Sequence, residues 1–309
     1  MIINKKTYLK ILFSLSLLFL IFQKIELGKF LFFIKKTNFL TYLKNFSLVI
    51  IFTLLSTIRL YKLTKEINKN LNLKFIKLLK GVLIGYFYNL FLPTTIGGDV
   101  AKGIYISDKK ISKKSGVVIS FIDRTAGLMG LAAVGLFGTL FLNEYYFPIP
   151  RIFMTFFFSL IIIFIFVFFY FFDFFKRRLL GNKTFKFLNF LKELNFSQRA
   201  VFLKLAFFSF FLQIVNVFTH FSVANSVGIN LPFAYFFTAV PLLSLIVLLP
   251  ITINGIGLRE ISAVSLYSAV GISSPQILAY TTIIFSYSVA LGIIGGIIQS
   301  HTLFNKIIK

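Results

Sequence analysis

The chain has no cysteine, which excludes disulfide bonds, thiolate catalysis and cysteine-ligated metal sites. It has only two histidines, His220 and His301, and they are too far apart in sequence to form a local metal-binding motif. The phosphate-binding loop pattern G-x-x-x-x-G-K-[ST] does not occur, so nucleotide hydrolysis at such a loop is excluded. We therefore expect no metal and no cofactor.

Acidic residues are also scarce, whereas apolar residues are abundant. The 309 residues include 33 Lys and Arg against nine Asp and Glu, and 58% are hydrophobic, with 44 Phe. The mean hydropathy is +0.90, and several apolar runs exceed the roughly 18 residues that a membrane span requires. A soluble domain could not bury so much apolar surface. The sequence predicts an all-α polytopic membrane protein that acts within or at the surface of the bilayer, with no nucleic-acid partner.

A hydrophobic phrase that begins with Leu-Pro, contains Thr-Ile and breaks on glycine occurs twice, at Leu92–Asp99 and at Leu249–Gly257. Each phrase interrupts an apolar run that is too short to be a complete span. The matched pair predicts two re-entrant hairpins, about 81–107 and 232–270, that face each other across a buried polar site. Six full spans are predicted beside them, at about 9–22, 39–60, 116–142, 151–175, 200–227 and 277–300.

The positions of Lys and Arg predict the orientation of these spans. With both termini in the cytoplasm of an inner or plasma membrane, most basic residues, Arg59 among them, fall in cytoplasmic segments. Residues 1–145 and 148–309 then each cross the membrane an odd number of times, so the single membrane domain is an inverted repeat. The outer segments hold only Lys24, Lys29, Lys35, Lys36 and Arg151, and the basic stretch 24–36 is predicted to be an interfacial helix.

The two breaks supply the first candidate binding residues. Pro93 removes a backbone donor, and Gly97 and Gly98 permit close approach or positive φ. A helix that restarts near Gly98 would present free N–H groups and its positive dipole end, which suit a lipid phosphate. Asn89 could bond the free backbone groups of this break; ordinary proline kinking and glycine packing are the alternative. The equivalent residues of the second break are Asn254, Gly255 and Gly257.

Charged side chains lie beside both breaks and inside one span, where charges are costly and mark a site or a pathway. We predict that Arg124 and Arg259 hold phosphate, because a guanidinium fork matches its oxygens. Asp99 and Glu260 would orient these arginines or meet a cationic group of the lipid. Mutual pairing that only locks the fold is the alternative, since the six charges sum to zero. They are Asp99, Lys102, Asp123, Arg124, Arg259 and Glu260.

A polar stripe is predicted on the span 200–227, where Gln213, Asn216 and His220 fall on one helical face. The stripe either lines a cavity or bonds a neighbouring helix. His220, together with Asp99 and Glu260, is a candidate for proton coupling.

Three segments together resemble a known family, the lysylphosphatidylglycerol synthase transmembrane region, whose members are flippase-like. They are Asn89–Lys102 (NLFLPTTIGGDVAK), Ser120–Gly127 (SFIDRTAG) and Pro250–Glu260 (PITINGIGLRE). The resemblance implies a bilayer-embedded domain that handles amphipathic lipids. In two-part relatives such a domain moves aminoacylated phospholipid between leaflets, and a separate soluble domain makes that lipid. The chain ends at Lys309, directly after its last span, so we expect no aminoacyl-transferring domain and no enzyme activity of that kind.

Three functions follow from this sequence. The first is a flippase-like protein that binds and translocates an anionic lipid or lipid-linked headgroup, with phosphate-bearing membrane lipids as its partners and a lipid-modifying enzyme as a further one. The second is a membrane enzyme acting on a lipid-linked substrate, for which the loop after the first span would need acidic residues; it has only Glu26. The third is an accessory or scaffold subunit of an envelope-lipid pathway.

Overall fold

The structure is a computed structural model that describes residues 26–67, 73–92, 94–108, 111–141, 147–170 and 198–307, together with residue 16. All regular structure in these ranges is helical, as predicted. The helices are α1 (Leu27–Lys36), α2 (Phe39–Ile67), α3 (Phe75–Phe91), α4 (Ile96–Ile106), α5 (Lys113–Leu140), α6 (Arg151–Tyr170), α7 (Gln198–Ser226), α8 (Phe233–Val247), α9 (Leu258–Ser268) and α10 (Ser274–Ile307).

Five of the described helices, α2, α5, α6, α7 and α10, are long and apolar enough to cross a membrane. They coincide with five of the six predicted spans, although some of the helices begin or end several residues from the predicted boundaries. Helix α2 runs to Ile67, seven residues beyond the predicted end of its span. The predicted first span, 9–22, lies outside the described residues except for Ser16.

The two Leu-Pro phrases separate pairs of short helices. Helices α3 and α4 have 17 and 11 residues, and α8 and α9 have 15 and 11. At 1.5 Å per residue an 11-residue helix is about 16 Å long, roughly half the thickness of the hydrocarbon core. Each pair is antiparallel: Gly81 approaches Ile106, and Tyr235 donates a hydrogen bond from its hydroxyl to the Leu266 carbonyl at 3.0 Å.

The order and lengths of the helices repeat along the chain. Helices α2, α3, α4 and α5 have 29, 17, 11 and 28 residues, and α7, α8, α9 and α10 have 29, 15, 11 and 34. The packing repeats as well, because α3 packs against α10 and α8 packs against α5. The first arm of each short pair therefore contacts the last long helix of the other half.

A glycine makes the contact between α3 and α10 possible. A Cβ atom on Gly295 would lie 2.0 Å from the carbonyl oxygen of Leu83, so no other residue fits there without moving a backbone. Such small-residue contacts replace the hydrophobic effect as the means of joining helices inside a membrane.

Two peripheral helices have apolar side chains that are open to their surroundings. In α6, Phe153, Phe156 and Phe164 are exposed, as expected of a helix that faces lipid. Helix α1 buries none of its residues; it exposes Leu27 and Phe32 and ends in Lys35 and Lys36. An apolar face combined with basic residues is typical of a helix that lies in the membrane interface.

Candidate functional site

Five charged side chains from three helices form one cluster. Asp123 of α5 accepts from Arg59 Nε of α2 at 2.8 Å and from Lys102 Nζ of α4 at 3.3 Å. Lys102 also lies 3.1 Å from Asp99, which is paired with Arg124. The order Arg59, Asp123, Lys102, Asp99, Arg124 thus alternates in sign, and we call these residues the charge cluster.

The charge cluster lies inside the helix bundle. Its side chains are between 6% and 19% exposed. Two neutral side chains add hydrogen bonds: the Ser209 hydroxyl accepts from Arg59 at 3.0 Å, and the Thr95 hydroxyl accepts from Arg124 at 2.8 Å. With three cations and two carboxylates, the cluster retains one positive charge that no carboxylate within it neutralises.

The spacing of residues on α4 and the packing of α4 on α5 explain why four of these residues lie close together. Asp99 and Lys102 are three positions apart on α4 and share a face. Helix α4 then packs tightly on α5, because a Cβ on Gly116 would lie 2.0 Å from the carbonyl oxygen of Gly103. This close approach brings the residue next to Gly103, Lys102, within reach of Asp123.

Arg59 is the member of the charge cluster that the sequence reasoning missed. The charge pattern assigned it to a cytoplasmic segment, but it lies within α2 and is 7% exposed. The usable signal was Asp123: a carboxylate inside a span needs a cation, and the predicted span 39–60 contains one arginine, Arg59.

The first break satisfies two of its own backbone N–H groups. The Gly98 N–H group donates to Asn89 Oδ1 at 3.0 Å, and the Gly97 N–H group donates to the Thr94 carbonyl at 3.1 Å. A Cβ on Gly98 would lie 2.2 Å from that Asn89 oxygen, so the contact requires glycine. The N–H groups of both glycines are therefore bonded within the protein. Pro93 lies outside the described residues.

The second break is built in a similar way, with three residues at positive φ: Asn254, Gly255 and Gly257. Glu260 accepts from the Gly257 N–H group at 2.7 Å and so caps the start of α9. The six predicted charges therefore divide: four join the charge cluster, and Arg259 and Glu260 lie apart from it.

Arg259 differs from the cations of the charge cluster. It donates to the Asn254 carbonyl at 2.9 Å, and its guanidinium carbon lies 5.0 Å from the centre of the Phe285 ring. Among the described residues, no carboxylate oxygen lies within 4.0 Å of its side-chain nitrogens. The adjacent Glu260 is occupied with the helix start instead.

Two cavities adjoin these groups. The first, about 430 Å³, is lined by the charge cluster together with Asn89, Gln213 and Asn216. The second, about 200 Å³, is lined by Arg259, His220 and Tyr280, together with Ser and Thr hydroxyl groups and apolar residues. His220 Nδ1 lies 2.5 Å from the Tyr280 hydroxyl. The polar stripe on α7 thus lines both cavities: Gln213 and Asn216 face the first, and His220 faces the second and also bonds Tyr280 of α10.

The three proton-coupling candidates lie at different places. Asp99 faces the first cavity, His220 faces the second, and Glu260 lies at the second break.

Within the described ranges, no group of three or more His, Asp and Glu side chains is arranged around a common point. The chemistry that the two cavities offer is that of cationic forks, amides and hydroxyls, which bind anions by charge and by hydrogen bonds.

These features define a class: a multi-pass helical membrane protein with interrupted helices and buried cations beside internal cavities. The chain matches the model of the family described as the lysylphosphatidylglycerol synthase TM region over residues 8–296, and it belongs to that family. The match confirms the resemblance seen in the three sequence segments. Comparison with curated proteins and with solved structures gives no match.

Proposed function

We propose that this protein binds the phosphate-bearing headgroup of an anionic lipid and moves it between the two leaflets of the membrane. The observation that carries the proposal is the charge cluster, which keeps an unneutralised positive charge beside a cavity of about 430 Å³. A buried excess cation is costly unless an anion or water meets it. The lipid tails would remain in the surrounding bilayer.

The binding groups would be side chains, since the N–H groups of Gly97, Gly98 and Gly257 at the two breaks are already bonded within the protein. Lys102 and Arg124 would contact phosphate in the first cavity, and Arg259 would do so in the second. Arginine suits this role because its planar fork can donate two parallel hydrogen bonds to phosphate oxygens.

The repeated helix order supports a transport mechanism. In this proposal the short pairs α3–α4 and α8–α9 are re-entrant hairpins, and the two halves are inverted relative to one another with both termini in the cytoplasm. Rocking of one half against the other would open the cavities alternately to the two sides. Transport would be passive or coupled to a gradient, with Asp99, His220 and Glu260 as proton-coupling candidates.

A vesicle assay tests the function directly. Purified protein is reconstituted with phosphatidylglycerol that carries a fluorescent label on a short acyl chain, so that the headgroup is unmodified. Dithionite added outside bleaches only the label of the outer leaflet unless lipid crosses. We expect wild-type protein to expose the inner pool, Arg259→Gln to slow the exposure, and Lys29→Gln, whose side chain is 63% exposed, to leave it unchanged. Bleaching equal to that of protein-free vesicles would refute the proposal.

A labelling experiment tests the inverted arrangement separately. Ile96→Cys and Ile251→Cys place one thiol at each break of a chain that otherwise has none, and the two positions are 41% and 44% exposed. A membrane-impermeant maleimide should reach the two thiols from opposite sides of the membrane. Labelling of both from the same side would contradict the inverted repeat.

A further inference from the structure

The two cavities meet at one residue. Ser244 of α8 lines the first cavity, which holds Lys102 and Arg124, and it also lines the second, which holds Arg259. Among the residues that line these two cavities, it is the one they share. The proposed function needs a route between the cationic groups of the two cavities, and Ser244 is the residue at which these cavities adjoin.

Helical geometry explains why Ser244 belongs to both cavities. On α8, Leu243 and Val247 line the second cavity, and Ser244 and Leu248 line the first. These pairs are each four residues apart, so they form two neighbouring stripes on the helix surface. Ser244 stands at the border between the two stripes.

Helix α7 runs along both cavities in the same way. Gln213 and Asn216 line the first cavity, and His220, one turn further, lines the second. Asn216 donates to Gln213 at 3.2 Å. Helix α7 therefore presents polar groups to the two cavities in sequence, and α8 adds Ser244 between them, so a polar headgroup would have hydrogen-bond partners along this route.

The side chain of Ser244 is suited to a passage. It is small, and its hydroxyl forms no hydrogen bond with any described residue. By contrast, Ser209 of α7 bonds to the Leu205 carbonyl at 2.7 Å and Thr281 of α10 bonds to the Leu278 carbonyl at 3.1 Å, whereas Thr238 of α8, like Ser244, bonds to no described residue. The hydroxyl of Ser244 is thus free to accept from, or donate to, a passing group.

The charges at the two ends of this route differ. Lys102 and Arg124 are paired with carboxylates at the first end, whereas Arg259 has no carboxylate within salt-bridge distance in the described part of the chain. A phosphate that leaves the paired cations of the first cavity would therefore meet an arginine without a carboxylate partner in the second.

We infer that Ser244 is the crossing point at which a phosphate-bearing headgroup passes between the cavity of the charge cluster and the cavity of Arg259. The inference rests on the proposed function and adds the route to it. A bulky group at position 244 should then stop transfer while each cavity still binds lipid.

The absence of cysteine allows a test on folded protein. Ser244→Cys creates the only thiol of the chain. After reconstitution, N-benzylmaleimide adds a bulky thioether-linked group, which the dithionite of the assay does not cleave. We expect modification to slow bleaching of the labelled phosphatidylglycerol by about tenfold or more, because a filled passage in a close-packed interior leaves no space for the headgroup. Unmodified Ser244→Cys protein should keep the wild-type rate.

The control is Ser300→Cys on α10, an exposed serine that lines neither of the two cavities and receives the same reagent. Its bleaching rate should not change. Mass spectrometry should confirm full modification at both positions, and native mass spectrometry should find phosphatidylglycerol still bound to the modified Ser244→Cys protein.

The possible failures are distinguishable. Unchanged transfer after full modification of Ser244→Cys would overturn the crossing point and leave the proposed function intact. Loss of bound lipid together with transfer would also overturn it, because position 244 would then belong to a binding site and not to the route between two. Failure of the unmodified wild-type protein to transfer lipid would instead refute the proposed function.

Discussion

Replacement of Arg59 by methionine tests whether the ion pairs of the charge cluster stabilise the folded protein. Arg59 is 7% exposed and bonds to Asp123 at 2.8 Å and to Ser209 at 3.0 Å. Methionine keeps most of the apolar volume but removes the cation. Removing one partner of a buried ion pair costs roughly 3–5 kcal/mol, because the other charge is left uncompensated.

The expected value lies at the lower end of that range. Asp123 would keep Lys102 at 3.3 Å, so its charge would not be left wholly unpaired. We expect Arg59→Met to lower the free energy of unfolding by about 3 kcal/mol. The double variant Arg59→Met with Asp123→Asn should lose less than the sum of the two single variants, by about 1–3 kcal/mol, since the second change removes the carboxylate that has lost one of its two cations.

The free energy of unfolding would be measured by dodecyl sulfate titration in mixed micelles, with helical circular dichroism as the signal. Arg151→Met is the matched control, because Arg151 is exposed at the start of α6 and should change stability by less than about 0.5 kcal/mol. Equal losses for Arg59→Met and Arg151→Met, or strict additivity in the double variant, would refute the reasoning.

Three other predictions follow from single contacts. Gly295→Ala should destabilise the protein by about 1–3 kcal/mol in the same titration, because its Cβ would press on the backbone of α3, whereas Gly28→Ala, which meets nothing within 4 Å, should not. Arg259→Gln should reduce the phosphatidylglycerol retained in native mass spectrometry with little loss of stability, since no carboxylate is orphaned; a large loss of stability with lipid retained would contradict this. Phe32→Trp adds the only tryptophan of the chain on the exposed face of α1, and brominated lipids should quench its fluorescence if α1 lies in the interface, whereas absence of quenching would exclude that position.

Much of the fold could be predicted because it depends on local signals. Apolar length determines the spans, and the Leu-Pro phrases mark the ends of α3 and α8 to within a few residues. Part of the candidate site was predictable for the same reason: Asp99 and Lys102 share a helical face through their spacing alone. Asp123 and Arg124 were suspect because charges inside a span are rare.

That Asp123 needs a cation could be predicted, but the identity of that cation could not, because it comes from a distant part of the chain. Arg59 meets Asp123 across 64 positions, and only the packing of α2 on α5 brings them together. Glu260 shows a local contact that the sequence analysis did not anticipate. It was predicted to orient an arginine or to meet a cationic group of the lipid, and in the structure it accepts a hydrogen bond from the backbone N–H group of Gly257 at its own helix start. Whether a carboxylate caps the start of its own helix depends on the local backbone geometry, which the amino-acid composition does not reveal.

The structure also bears on whether the buried charges lock the fold or bind a ligand. Four of them do pair with one another, as the fold-locking alternative requires. With Arg59 included, however, the cluster has three cations and two carboxylates, so pairing cannot neutralise it. In a low-dielectric interior the remaining charge must be met by an anion or by water in the adjoining cavity. The same residues can therefore hold the helices together and attract a ligand.

This balance gives a prediction that separates charge from packing. Lys102→Met brings the cluster to neutrality, whereas Asp99→Asn raises its net charge to two and leaves Arg124 without its carboxylate. The side chains of Lys102 and Asp99 are both less than 15% exposed, so burial alone predicts that the two variants lose similar amounts of stability. If excess charge is the dominant cost, Asp99→Asn should lower the free energy of unfolding more than Lys102→Met. Added phosphate should then recover more stability in Asp99→Asn than in Lys102→Met, because an anion that binds the folded state stabilises it by mass action. The reverse order in both measurements would mean that the cluster is held by packing and that its positive charge has no ligand to meet.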